Sequence, residues 1–398
     1  MALSAATRVL TANRGWTRLQ GLRAGDHVFH PSGVAIVVTA VAQVQDHRDC
    51  YRVATTDGRS VIVDGDHLWE VTDKRAVRSL GPRGATQKWF EKRVLSTREL
   101  LESGLSRYAG GGRTSVTDGK QYATNEYRYV LPDQKALVSD DRALPLDPYL
   151  LGAWLGDGNS ASASLTAHIA DVPHWVAVIA AAGFIPTVRP GGGTPDTRSI
   201  GITCTGGKGR QSRSFMGRLT ELGLRQNKHV PDAYLSAGSR QREALLQGLL
   251  DTDGTVNAIR GQVEFCSMNT YLASAVLQLA RSLGWRATLR TGRATLAGRD
   301  CGEKFRVFFT PVRADPFAPF RLARKRDRVK ALDGGKGRST LSISAITVAE
   351  PVPVCDIQVT ALDGMAVLGN DFVPTLARSP WGARRTAGPG AVSPRLPQ

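Results

Sequence analysis

Two aspartates set the terms of the chemistry in this sequence. Asp157 and Asp253 stand at matching places in Leu150-Leu151-Gly152-Ala153-Trp154-Leu155-Gly156-Asp157-Gly158 and Leu246-Gln247-Gly248-Leu249-Leu250-Asp251-Thr252-Asp253-Gly254, 96 residues apart. A second echo follows each apolar run: Gly183-Phe184-Ile185-Pro186-Thr187-Val188-Arg189 against Gly284-Trp285-Arg286-Ala287-Thr288-Leu289-Arg290, 101 residues apart. Two echoes in the same order at similar offsets imply duplicated halves. A single Asp-Gly is the ordinary end of a helix. Two in duplicated contexts imply paired carboxylates, which are costly together unless they share a proton or a cation. A hard divalent ion answers that need, and Mg²⁺ held by one or two carboxylates plus phosphate oxygens is the expected cofactor.

The helices that must carry these acids can be drawn from the same residues. Asp147 suits the cap of the first and Pro148 its first turn, and Ser239 is the candidate cap of the second. Small residues four apart, Gly152 with Gly156 and Gly248 with Thr252, leave a side where another backbone can approach closely. Packed together, such helices would bring Asp157 and Asp253 to one end of a pseudo-two-fold interface.

The charge balance names the partner. Among 398 residues, 52 Lys and Arg face 35 Asp and Glu, a net charge of +17 that favours a polyanion, nucleic acid before membrane. Between Arg286 and Lys330 stand 13 basic residues against 4 acidic, densest over Arg321 to Lys330, and from Gly206 to Arg242 the balance is 8 against 2. Both clusters fall in the duplicated region, where a surface that tracks phosphates is wanted. Arg286, Arg290, Arg321, Arg324, Lys325, Arg326 and Arg328 are the candidate DNA contacts. The alternating segments Gln262–Ser267 and Phe305–Thr310 could present polar faces to base edges.

Other classes drop out. The longest strongly apolar run, Trp175 to Ala182, is far short of a membrane span, and no secretory signal follows the first positive charge. The five cysteines are scattered and without a CxxC, which argues against a disulfide framework or Cys-rich zinc site and for a reducing cytoplasm. The seven histidines are equally dispersed.

The chain reads as three zones. Short β-type runs with turns, such as Val34–Val38 and Ser60–Val63 around Asp57-Gly58, fill residues 1–75. Residues 76–145 look like connecting structure, including Gly110-Gly111-Gly112. Helical and strand patterns alternate over 146–333, with halves at about 146–235 and 236–333. The β pattern returns in 334–377, after Gly334-Gly335, where Leu341–Val348 alternates. The expected architecture is an all-β domain interrupted by an α+β domain, followed by a disordered tail at 378–398.

The duplicated segments resemble the paired motifs of LAGLIDADG homing endonucleases. The likeness extends to Lys228-His229-Val230-Pro231, Tyr234-Leu235 and Arg242 to Asp253. It implies two motif helices at the interface of half-domains, a saddle-shaped sheet in each half lying along the DNA major groove, and Asp157 and Asp253 as catalytic, metal-binding acids. Lys228 matches a basic residue placed near the active site. It further implies a monomer that serves as its own pseudo-dimer.

The outer β zone resembles the splicing domain of inteins, the hedgehog/intein fold. Thr11 to Asp26 is similar to the opening splicing block, and Asp57 to Trp69 to the block whose histidine assists the first acyl shift, which makes His67 the matched catalytic histidine, here vestigial. Asp64 stands where many relatives have Thr. Cys355–Val359 and Val367–Thr375 are similar to the closing blocks. The departures lie at the chemical ends. Ala2 occupies the position of the nucleophilic Cys or Ser, and Thr375-Leu376-Ala377 replaces the terminal His-Asn. A methyl group cannot attack a carbonyl, and without Asn no side-chain amide can cyclise.

The leading expectation is a site-specific, metal-dependent double-strand DNA endonuclease in an intein-derived scaffold whose splicing is lost. A splicing element and a non-catalytic DNA-binding module are the alternatives. Asp251→Asn is expected to be milder than Asn at Asp157 or Asp253, and Ala at Arg324, Lys325 and Arg326 to flatten the salt dependence of binding.

Overall fold

Strand-forming runs from the two ends of the chain pair with one another. In the computed structural model, which describes residues 2–46, 48–79, 86–108, 113–114, 121–122, 125–192, 194–204, 213–311, 316–329 and 340–377, one five-stranded antiparallel sheet runs Ile343–Ala349, Cys50–Thr55, Ser60–Asp64, Leu3–Ser4, Val354–Cys355. A second runs Ile357–Val359, Ala35–Val41, His27–Phe29, Met365–Leu368, Val373–Leu376. Alternation decides which side chains go inward: Val61 and Val63 are buried while Ile62 between them is only partly so. Leu3, Val53, Val63, Trp69, Ile343 and Val359 share one core drawn from both ends of the sequence. A long hairpin, Leu68–Ser79 with Thr86–Ser96, leads away from it. The tail at 378–398, Gly110-Gly111-Gly112 and Gly334-Gly335 lie outside the described residues.

Eight helices punctuate the described residues: α1 (Thr97–Glu102), α2 (Pro148–Asp157), α3 (Val172–Ala181), α4 (Phe215–Glu221), α5 (Asp232–Leu235), α6 (Ser239–Asp253), α7 (Thr270–Ser282) and α8 (Ala323–Arg326). Helices α2 to α7 share a second core with two further antiparallel sheets. Three strands, ordered Ser164–His168, Thr197–Thr203, Ile185–Pro190, pack with α2 and α3; four, ordered Gly254–Val256, Val263–Ser267, Arg299–Phe309, Thr288–Leu296, pack with α6 and α7. The protein is thus of mixed α and β class. The echoed glycines, Gly183 and Gly284, both have positive φ (82° and 85°), a left-handed turn each half makes where α3 or α7 gives way to its strand.

Residues 131–142, read from the sequence as connecting structure, form an extended seam between the two cores. The Lys135 amide donates to Pro31 and that of Val138 to Gly33, on the terminal sheets; that of Leu137 donates to Ser282 at the end of α7. Ala136 lies between Gly33 (φ 91°) and Gly284, where a methyl group on either would meet the seam backbone within 2.0 and 2.7 Å respectively. No described helix is long and apolar enough to cross a membrane.

Candidate metal and DNA site

Two glycines let the acids meet. A methyl group on Gly152 would lie 2.2 Å from the Leu245 carbonyl oxygen, and one on Gly248 would lie 2.2 Å from that of Tyr149. Only hydrogen fits at either point, so α2 and α6 cross backbone against backbone. Asp147 caps α2 by accepting from the Leu150 amide at 2.8 Å. At α6 the cap is Gly238 rather than Ser239: its amide donates to the Gln241 side chain, while the Ser239 amide donates to Ser139 on the seam. Ser239 is recruited by the neighbouring chain, a contact no local pattern reveals.

Both helices end on an Asp-Gly, yet not through a left-handed glycine. Gly158 and Gly254 have φ −76° and −91°. What they supply is room, since a methyl group would lie 2.3 Å from the Trp154 carbonyl oxygen or 2.4 Å from that of Leu250. The Asp253 carboxylate comes so near α2 that a methyl group on Gly156 would meet its Oδ2 at 3.1 Å. Burial, and then the charge of Asp157, pushes the Asp253 carboxyl up to about 6, and Asp157 is also raised by loss of water.

A lysine braces each helix end. Lys228 Nζ donates to the carbonyls of Gly156 (3.0 Å) and Gly158 (2.7 Å). Lys325 Nζ donates to Leu250 (2.9 Å), Asp251 (2.7 Å), Thr252 (3.1 Å) and Gly254 (2.7 Å). The carbonyls of Gly156 and Gly158 correspond to those of Thr252 and Gly254, so the two ammonium groups are pseudo-symmetric. Burial pulls both lysines down, Lys325 to about 8. Expected as a DNA contact, Lys325 is instead buried and binds the end of the motif helix. The repeat offset held the missed signal, because Lys325 follows Asp253 by 72 residues and Lys228 follows Asp157 by 71.

The other basic candidates divide. Arg286 is tied to Asp133 at 2.8 Å, and Arg324, though exposed, forms a forked pair with Asp171 (2.6–3.0 Å), so both are paired with carboxylates of the protein. Arg321 lies over the Tyr149 ring at 4.3 Å and donates to Gln247 at 2.6 Å. Arg290, Arg326 and Arg328 are exposed, Arg326 with Asp327 at 3.2 Å as a surface partner. Asp251 lies inside the fold. Buried at 2% exposure, it accepts from the Tyr149 hydroxyl at 2.7 Å and from the amides of Arg321 and Leu322. Tyr149 also bonds His174 Nε2 at 2.7 Å, so this cluster stitches α2, α3 and α6 together.

The residues present fit a hard divalent cation. The donors are two oxygen-bearing side chains whose carboxyls are pushed up by burial, that of Asp253 also by the charge of Asp157, and a shared cation would offset both. Among the described residues no group of three or more His, Cys, Asp or Glu could hold a metal, so water and substrate oxygens would have to complete the shell.

The residues that resemble the splicing blocks lie apart from this site. His67 is fully buried, its Nε2 is 2.5 Å from Thr375 Oγ1, and burial pushes its imidazole down to about 3, which keeps it neutral. The Ala2 amide donates to Asp64 Oδ1 at 3.1 Å.

The family of LAGLIDADG-like domains matches residues 240–303. Over 366 residues, 91% of the chain, the sequence is 30% identical to the replicative DNA helicase DnaB of Mycobacterium intracellulare, and it spans about half (56%) of that protein's length. Among solved structures, the chain is similar to I-DmoI in complex with DNA and Mn (14% identity, 42% of this chain, 89% of that one, TM-score 0.29). It is also similar to the Msm DnaB1 intein splicing domain bound with zinc (27%, 23%, 78%, TM-score 0.17). Residues 240–303 thus carry a LAGLIDADG-like domain within the chain.

Proposed function

We propose that the chain cuts both strands of a specific DNA site with a divalent metal, Mg²⁺ first, held by Asp157 and Asp253. The observation that carries this reading is the pairing of those carboxylates at the end of two crossing helices, each helix end braced by a lysine. Asp157 and Asp253 would hold the metal, which supplies an activated water and stabilises the leaving 3′ oxygen. Lys228 and Lys325 neutralise helix-end carbonyls and keep positive charge beside the phosphate position. Exposed Arg290, Arg326 and Arg328 would contact the DNA backbone.

In this reading an all-β splicing domain is interrupted by an α+β nuclease of two pseudo-symmetric halves, covering about 146–333. One chain supplies both acids and needs no second copy, and its place of work is the cytoplasm. Splicing itself is lost: His67 remains beside Thr375, but Ala2 offers no nucleophile and Leu376-Ala377 no cyclising amide.

The helicase relative names the first substrate to try. Duplex DNA from an uninterrupted replicative-helicase gene should be cut at one place with Mg²⁺ and left whole in EDTA. Persistent failure to cut any such DNA, with binding intact, would turn the reading into a DNA-binding protein.

A further inference from the structure

Helix α7 touches the proposed nuclease site with one end and the splicing scaffold with the other. At its start, Asn269 Oδ1 caps the helix by accepting from the amides of Tyr271 (2.9 Å) and Leu272 (3.3 Å), while its Nδ2 donates to the carbonyl of Lys228 at 2.8 Å. Lys228 in turn holds the end of α2 on either side of Asp157. A helix of 13 residues with its backbone bonds intact transmits such a constraint with little give.

The far end of α7 carries Arg281, only 1% exposed. Its Nη1 pairs with Asp371 at 2.5 Å and its Nη2 donates to the Asp57 carbonyl at 2.7 Å, both on the splicing scaffold. Its Nε stays within its own half, donating to Ala287 at 3.2 Å. Asp57 pairs with buried Arg59 at 3.0 Å, Arg59 donates to the Gln134 side chain at 2.7 Å, and Gln134 returns to the Arg281 carbonyl at 2.9 Å. Arg281, Asp57, Arg59 and Gln134 thus close a cycle in which only Arg281 comes from the nuclease part, and Asp371, bound to Arg281 from outside the cycle, balances the second guanidinium. Arg59 also grips the carbonyl of Phe372 at 2.6 Å, beside Asp371. Burial of matched charges with every contact made in one geometry admits few alternatives.

We infer that Arg281 is a positioning residue: through it the splicing scaffold braces α7, and α7 holds Lys228 against the end of α2 that bears Asp157. The role in cleavage rests on the proposed nuclease reading, whereas the brace itself does not. It gives the splicing scaffold work to do that is independent of splicing.

Lysine acylation in the metal-free full chain, followed site by site with mass spectrometry, reads the brace directly. Lys228 reacts slowly while its amine is held by two carbonyls. In Arg281→Met its labelling should rise about two- to thirty-fold, the range over which remote residues modulate coupling. Lys325, held by α6 in the other half, serves as internal control and should not change. Arg281→Lys keeps one charge contact and should restore most of the protection. Single-turnover cleavage in Mg²⁺ should fall by a similar factor in Arg281→Met at unchanged DNA affinity measured in Ca²⁺. If Arg281→Met does not fold, Asp371→Asn, which leaves the bond to the Asp57 carbonyl, takes its place with the same expectation. Unchanged Lys228 labelling in a folded variant, or equal rises at Lys228 and Lys325, overturns the brace. A parent chain that never cleaves DNA overturns the nuclease reading and leaves the labelling result to decide the brace.

Discussion

Asp253 is shifted toward its protonated form by burial and by the charge of Asp157. Its carboxyl, pushed up to about 6, binds a proton in the folded chain over a range where the unfolded chain, near the ordinary carboxylate value, has released it. Stability of the metal-free protein should therefore fall as pH rises from about 4 to 6 and level off above that. Mg²⁺ should reverse that loss above pH 6, because it binds the ionised pair. Melting curves across pH with Mg²⁺ or EDTA check this; parallel curves would separate Asp253 from the metal. Asp157→Asn and Asp253→Asn should each lose cleavage and keep, or tighten, DNA binding, since each removes a charge that repels phosphate. Variants that cut normally would show that the acids do not hold the metal. Asp251→Asn belongs to stability instead. An amide there turns a donor toward the Arg321 and Leu322 amides or the Tyr149 hydroxyl, with an expected cost of about 1–3 kcal/mol in denaturant unfolding.

At the scale of elements, the crossing of α2 and α6 depends on hydrogen atoms at Gly152 and Gly248. Gly248→Ala should cost about 1–3 kcal/mol or more through overpacking, and should lower cleavage further by separating the acids. A denaturation midpoint that does not move would mean the helices part easily. Helix α8 needs a division of labour that its run of basic residues conceals. Lys325→Ala should destabilise the protein, because it leaves the end carbonyls of α6 without their donor. Arg326→Ala with Arg328→Ala should leave stability alone and reduce the salt slope of DNA binding by about one to two. Equal slopes for parent and double variant would place that face away from DNA.

Over the whole molecule, the seam and the Arg281 cycle join two cores that the sequence order suggests could be separate. Ala136 packs into the nuclease core, while its neighbour Leu137 packs with Leu10, Phe29, Val367 and Phe372 of the scaffold. A fragment of residues 146–333 would lose the seam, Asp57 and Asp371 together, and leave Arg281 without its carboxylate. Such a fragment should show no cooperative unfolding transition, where the full chain does, in calorimetry or by circular dichroism. The scaffold's own chemistry has a separate test. Placed between reporter exteins, the unmodified chain should yield no ligated product, and Ala2→Cys should yield N-terminal cleavage at most, since Thr375-Leu376-Ala377 still lacks the cyclising Asn.

The residues that recur were legible in the sequence, and those that serve a single long-range contact were not. Asp157, Asp253 and the glycines of their helices could be read because duplication writes each constraint twice and helical spacing fixes which side chains share a face. Strands such as Ser60–Asp64 and Val263–Ser267 showed through alternation, which is local. Charge counting, by contrast, is blind to partners. Arg286, Arg324 and Lys325 all read as phosphate contacts, yet folding sets Asp133, Asp171 and four helix-end carbonyls against them, from 71 to 153 residues away. Ser239 is not the cap of α6 for the same reason, and the partners of Asp251 likewise arrive from other elements. Only the tertiary structure decides which charges meet solvent, because burial and pairing depend on neighbours distant in sequence, whereas period and repeat are carried within it.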